Sequence, residues 1–187
     1  MFQTLLVIPE EVLIFCVPML LQSLYHDITF SLLCDQKIRI ITRLGNDFDC
    51  SKEVFSHILQ LVLNDFIAQH TGTLLHILQF LSTFSERIQD QTGRITDLVS
   101  FILTCDDCVI QAYIQVITKI ARYLSIPEIE QLLGALGKEN QVSSQSLFPF
   151  LLSLLQYHAF SELSKELGRV YGLLLVKACG EIENVCI

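Results

Sequence analysis

Cys105-Asp106-Asp107-Cys108 is the one C-x-x-C of the chain. Two thiols at that spacing, at the start of a helix, could form a redox pair, because the helix dipole stabilises a thiolate. A thioredoxin-type pair also needs a βαβ setting, and no such pattern surrounds it. The two intervening aspartates would raise the thiol pKa and oppose activation. A zinc site would need two more ligands at compact spacing, and there is no second C-x-x-C and no H-x-x-x-H. The structural expectation is that Cys108 packs inward and Cys105 lies at a turn.

Other candidate chemistry is thinner. Asp47, Asp49, Ser51 and Glu53 alternate like the opening of a calcium loop. Such a loop needs glycine sixth and glutamate twelfth, where this chain has Lys52 and Ile58. A solvated inter-helix loop with a cap explains the pattern better. His26, His57, His70, His76 and His158 form no spaced metal pair. They read as partly exposed helix residues, and nothing selects one for a catalytic dyad. No G-x-G-x-x-G or P-loop pattern occurs. Glu10-Glu11 and Asp106-Asp107 fall at predicted helix starts, where the dipole favours carboxylates. No catalytic, cofactor-binding or metal-ligating residue is assigned, and a non-enzymatic chain is expected.

Lys37, Arg39 and Arg43 are the only local cluster among twelve Lys and Arg residues, in a chain of net charge −8. Nucleic-acid binding draws its affinity from several neutralised phosphates and shows a longer basic stripe. Three basic residues on one helix read instead as a solvated face.

The 187 residues fit a single domain large enough to bury a core. Half are apolar (51%) and only 17% are charged, against about 25% in ordinary soluble domains. Either the helices are unusually well buried or some apolar surface awaits a partner. The longest apolar run, Val12 to Leu21, is interrupted by Pro18, whereas a membrane span needs about 20 residues. Met1-Phe2-Gln3-Thr4 carries no basic signal region. Cys16, Cys34, Cys50, Cys105, Cys108, Cys179 and Cys186 are odd in number and irregular in spacing. They read as buried free thiols in a reducing compartment, the cytosol or nucleus.

The elements that would position these residues are helices. Leu74, Ile77, Leu78, Leu81 and Phe84 keep helical spacing, as do Ile95, Leu98, Val99 and Ile102. The stripe Ile110, Tyr113, Ile114, Ile117, Ile120, Ala121 and Leu124 repeats it, and Leu163, Leu167, Val170, Tyr171, Leu174 and Ala178 repeat it again. Gly45-Asn46-Asp47 and Thr71-Gly72-Thr73 separate segments, with Ser51 as a cap. Ser125-Ile126-Pro127-Glu128 opens a helix with proline in its first turn, and Gly137 suits its C-terminal cap. Ser146 precedes Leu147-Phe148-Pro149, again with proline early, and Ser161 opens the last helix. Lys37 to Arg43 could alternate as a strand, but a lone strand has no partner, so helix is expected. Leu147 to Leu155 is apolar nearly all round, which predicts either an inner helix buried on every side, the favoured reading, or a docking surface.

Helix starts near residues 52, 73, 93, 107, 127, 146 and 161 give steps of about 14 to 21 residues, hence two-helix units of roughly 40. Ile8-Pro9-Glu10 recurs as Ile126-Pro127-Glu128. The resulting all-α stack of about nine antiparallel helices resembles the armadillo and HEAT superfamily from about residue 9 to 179. That resemblance implies a curved solenoid whose concave face binds proteins or peptides. The alternatives are a helical bundle or irregular helical domain. There is also a looser likeness, without a motif behind it, to the large helical scaffolds of meiotic chromosomes. The function expected is an interaction scaffold for a protein partner. A subunit of a nuclear chromosomal assembly, a homo- or hetero-oligomeric dimerisation module and a C-x-x-C redox or metal module are the alternatives. Apolar ends, Met1 to Ile8 and Val185-Cys186-Ile187, lack the polar caps of a complete solenoid, so a fragment, a splice form or one partner of a helical complex is expected.

Overall fold

Stripes at helical spacing have folded as helices. The computed structural model describes residues 7–19, 33–45, 48, 50–64, 66–137, 142, 144–158 and 164–185. Among these are ten α-helices and no strand. Packing divides the chain into two compact units, Met1–Phe84 and Ser85–Ile187.

The first unit contains α1 (Glu10–Leu13), α2 (Leu33–Leu44), α3 (Lys52–Asn64) and α4 (Thr71–Thr83). The ambiguous Lys37–Arg43 segment is helical. Ile38, Ile41 and Leu44 are buried at helical spacing, joined by Ile40. Gly45 ends α2 with φ +51°, a left-handed conformation that glycine adopts without a Cβ penalty. Ser51 caps α3, its hydroxyl accepting from the Val54 N–H at 3.3 Å. Thr71-Gly72-Thr73 does not separate helices as expected. It forms the first turn of α4, with His70 in extended conformation before it. The 3-10 turn Phe66–Ala68 makes the separation instead. α2 packs against both α1 and α4. A phenylalanine cluster fills this unit: Phe55 stacks on Phe80 at 5.8 Å, and Phe84 lies 5.1 Å from Phe80, 5.4 Å from Phe55 and 6.2 Å from Phe48.

The second unit contains α5 (Thr92–Asp97), α6 (Val99–Ile102), α7 (Asp107–Ile120), α8 (Ile126–Leu136), α9 (Ser144–Tyr157) and α10 (Lys165–Val185). The stripe from Ile95 to Ile102 is buried as expected, but its helix breaks at Leu98. The Leu98 N–H bonds the Ile95 carbonyl three residues back, a 3-10 closure that tightens the turn. Pro127 sits in the first turn of α8, and the Glu128 carboxylate reaches back to the Ser125 N–H at 2.6 Å. The same carboxylate accepts from the hydroxyls of Ser125, at 2.7 Å, and of Thr92 on α5, at 2.8 Å. α9 starts at Ser144, earlier than Ser146, so Pro149 falls inside the helix, not in its first turn. Its missing N–H removes one bond to the preceding turn. Ser161 lies outside the described residues.

Three pairs in this unit pack next but one: α6 meets α8, α7 meets α9, and α8 meets α10; α5 also meets α8. α9 and α10 also meet directly. Two buried tyrosines bind carbonyls across helices. Tyr113 donates to Ile95 at 3.0 Å, and Tyr171 donates to Leu151 at 3.0 Å. Burial raises both phenols; Asp97 adds to the effect on Tyr113 and Cys179 to that on Tyr171, which is pushed up to about 12. Unfolded phenols ionise at about 10, so the folded chain favours the neutral form. That stability is complete below pH ~10 and is lost as pH rises, across ~10 to 12 for Tyr171. In an alkaline titration, the phenolate absorbance of these two tyrosines should develop together with loss of helical circular dichroism. Ionisation of every tyrosine near pH ~10 with the helices intact would contradict this.

Candidate functional site

The C-x-x-C lies where α7 begins, with Asp106 at the N-cap and Asp107 in the first turn. Cys108 is exposed, which corrects the expectation that it packs inward. It stands on the outer side of α7, whose inner side is taken by Val109, Ile110 and Tyr113. Cys105 is partly buried at the preceding turn, its thiol directed to the Phe101 carbonyl at 3.5 Å. Burial, and then Asp106, raise its pKa, so the environment opposes the thiolate that redox chemistry needs. Cys16, Cys50 and Cys179 are in no disulfide, and they are partly or largely exposed. The expectation of buried cysteines therefore fails among the described residues.

In the calcium-like stretch, Ser51 and Glu53 serve the start of α3. Hydrogen bonds from its own backbone and from Ser51 hold the Glu53 carboxyl below its ordinary value. Asp47 and Asp49 lie outside the described residues. No group of three metal-ligating side chains occurs among the described residues. No described helix is long and apolar enough to cross a membrane. The histidines are dispersed: His57 is half-buried, His70 precedes α4, and His158 donates through Nε2 to the Ala121 carbonyl at 2.7 Å. His26 lies outside the described residues.

The basic cluster behaves differently from a uniform solvated face. Lys37 is 1% exposed and belongs to the buried side of α2. Arg39 and Arg43 lie on the opposite side with Thr42, and these three line an open cleft of about 360 Å³ with His76, Gln79 and Thr83 of α4. The cleft follows from the packing. Residues 39, 42 and 43 form one polar stripe and residues 76, 79 and 83 another, each opposite its helix's buried stripe. Where α2 and α4 press together, the two polar stripes face each other across a groove.

Its polar groups are specifically arranged. His76 Nδ1 lies 2.5 Å from the Asp35 carboxylate. A carboxylate only accepts, so Nδ1 carries the proton and the imidazole orientation is fixed. The Thr42 hydroxyl donates to the Ile38 carbonyl at 2.8 Å, and that of Thr83 to the Gln79 carbonyl at 2.9 Å. The Arg39 and Arg43 guanidiniums and the Gln79 amide also line the cleft. Arg39 is exposed and makes no ion pair among the described residues. The sequence pointed to the two arginines, but the α4 side was missed. Its one local signal is the polar spacing of His76, Gln79 and Thr83 within an apolar helix.

A second surface corrects the expectation for Leu147 to Leu155. This helix is not buried on every side. Leu147, Phe150, Leu151 and Leu154 are buried, whereas Leu152 and Leu155 are exposed at 45% and 44%. On α10, Leu173 and Val176 are exposed at 62% and 71%. Hydrophobicity alone does not say which side of a helix lacks a neighbour.

Comparison with protein families, with curated proteins and with solved structures yields no match to this chain.

Proposed function

We propose that the chain is a non-enzymatic interaction scaffold built from stacked helices in the armadillo or HEAT manner, binding a protein partner in the cytosol or nucleus. The observation that carries this reading is the next-but-one packing of α6 with α8, α7 with α9 and α8 with α10. Two rows of alternate helices are what a solenoid of helix pairs produces. A closed up-and-down bundle pairs sequential neighbours and returns its last helix to its first. Open rows leave apolar side chains for a partner to cover, and Leu152, Leu155, Leu173 and Val176 fit that role.

The test is the paired substitution Leu173→Glu and Val176→Glu. Both side chains are exposed, so helical content and thermal unfolding should change little. Partner capture from cell lysate, read by mass spectrometry, should fall by about tenfold or more if these residues anchor the interface. Capture of the same proteins at undiminished level would remove this surface from the proposal. Catalytic turnover dependent on Cys105 and Cys108 would remove the scaffold reading itself.

A further inference from the structure

We infer that the outer side of α10 pairs with the same side of a second copy of this chain, the two helices running antiparallel. This deepens the scaffold reading and rests on it, because it names the occupant of the surface that Leu173 and Val176 present. α10 turns Tyr171, Leu174 and Ala178 inward. Lys165, Arg169, Leu173 and Val176 fall on the opposite side and are exposed. The helical period carries position 183 to that side as well. Steps of four and three residues, from 169 to 173 to 176, are those of a seam between two helices. Gly172 borders the seam, with nothing within 4 Å of the Cβ it lacks. A glycine inside a helix weakens it, and no close packing within the chain accounts for this one. A second helix lying along the seam would.

Charge decides which occupant fits. Lys165, Glu166, Arg169 and Lys177 give residues 165–177 a net charge of +2, and Glu181 and Glu183 give residues 178–185 a net charge of −2. This order opposes the helix's own dipole, which favours acidic residues at the start and basic ones at the end. The last turn has no basic residue, and neither Lys165 nor Arg169 makes an ion pair among the described residues. An antiparallel copy reverses the relation. It sets an acidic end, and the negative end of a dipole, beside Lys165 and Arg169. The pairing is self-complementary, so the same exchange occurs at both ends of the seam. Its centre, between Leu173 and Val176, lies near the middle of α10, so the overlap extends over most of a helix about 30 Å long. A parallel copy would set like charge on like. A membrane surface or a nucleic acid would meet the acidic end as well as the basic one, and needs more cations than α10 offers.

Sedimentation equilibrium of the whole chain, at concentrations up to about 1 mM, tests this. A reversible monomer–dimer equilibrium is expected. Leu173→Glu with Val176→Glu should leave only monomer. Lys165→Glu with Arg169→Glu should weaken the dimer by about tenfold or more. Both basic residues are exposed, and acidic replacements at the start of α10 suit its dipole, so this loss would not come from unfolding; helical circular dichroism checks it. Adding Glu181→Lys and Glu183→Lys to the same chain should restore the dimer, because the two ends have then exchanged signs. Monomer at every concentration, a dimer that survives either paired substitution undiminished, or no restoration by the exchange overturns the inference. The two readings of this surface fail separately. A chain that stays monomeric yet captures other proteins through Leu173 and Val176 keeps the scaffold and loses the second copy. A chain that dimerises as described and captures nothing else does the reverse.

Discussion

Phe80→Ala should destabilise the unit formed by residues 1–84 by about 3–5 kcal/mol, the usual cost of truncating a fully buried phenylalanine. Phe80 has no exposed surface. Its ring stacks on Phe55 with planes 23° apart and lies tilted at 52° to Phe84. These are geometries that the ring quadrupole favours, each adding about 0.5–1.5 kcal/mol beyond area burial. Whole domains are stable by only about 5–15 kcal/mol, so the loss is a large share of what holds this unit together. Urea unfolding followed by helical circular dichroism would measure it, and amide exchange at α2 and α4 would locate it. Phe80→Leu should cost less, because it leaves a smaller void. A loss below about 1 kcal/mol would mean that the cluster is not packed as described.

Gly137→Val should destabilise the second unit by about 1–3 kcal/mol through overpacking. Gly137 follows α8 where a C-cap was expected, but its φ is −72°, an ordinary right-handed value. Conformational freedom is not why glycine is there. A Cβ at this position would come within 2.7 Å of Val170 Cγ1 and 2.9 Å of the Leu133 carbonyl oxygen. Neither contact is tolerable, and the carbonyl belongs to a packed helix that cannot easily shift. Gly134, one turn earlier, is the control. Nothing lies within 4 Å of a Cβ there, so Gly134→Ala should be neutral or stabilising by up to ~1 kcal/mol, as expected of glycine within a helix. Thermal unfolding of the two variants should shift in opposite directions. A valine at 137 that leaves the transition unmoved would show that α10 does not approach α8 at Val170.

These two cases show what the sequence could and could not convey. The stripes at Leu74–Phe84, Ile95–Ile102 and Ile110–Leu124 are buried residue by residue, because helical period is a local property. Ser125-Ile126-Pro127-Glu128 opens α8 as read, for the same reason. What failed depended on distant chain. Gly137 answers to a valine on another helix. Lys37 is buried although its charge marks it for solvent, because positions 37, 38, 41 and 44 share one side of α2. Arg39 and Arg43 were visible as a cluster, yet the cleft exists only once α4 lies alongside. Asp35, which orients His76 from forty-one positions away, carried no signal of its own.

The Glu128 carboxylate has a consequence for how folding proceeds. It completes the start of α8 through Ser125 and at the same time holds Thr92, thirty-six positions earlier. Helix initiation is ordinarily a local event that fluctuates before tertiary structure exists. Here one side chain makes the local step and a long-range contact share an acceptor. The first turn of α8 then gains its full protection only once α5 has docked. Opening of either helix start should loosen the other, so amides near residues 92 and 128 should exchange as one cooperative group.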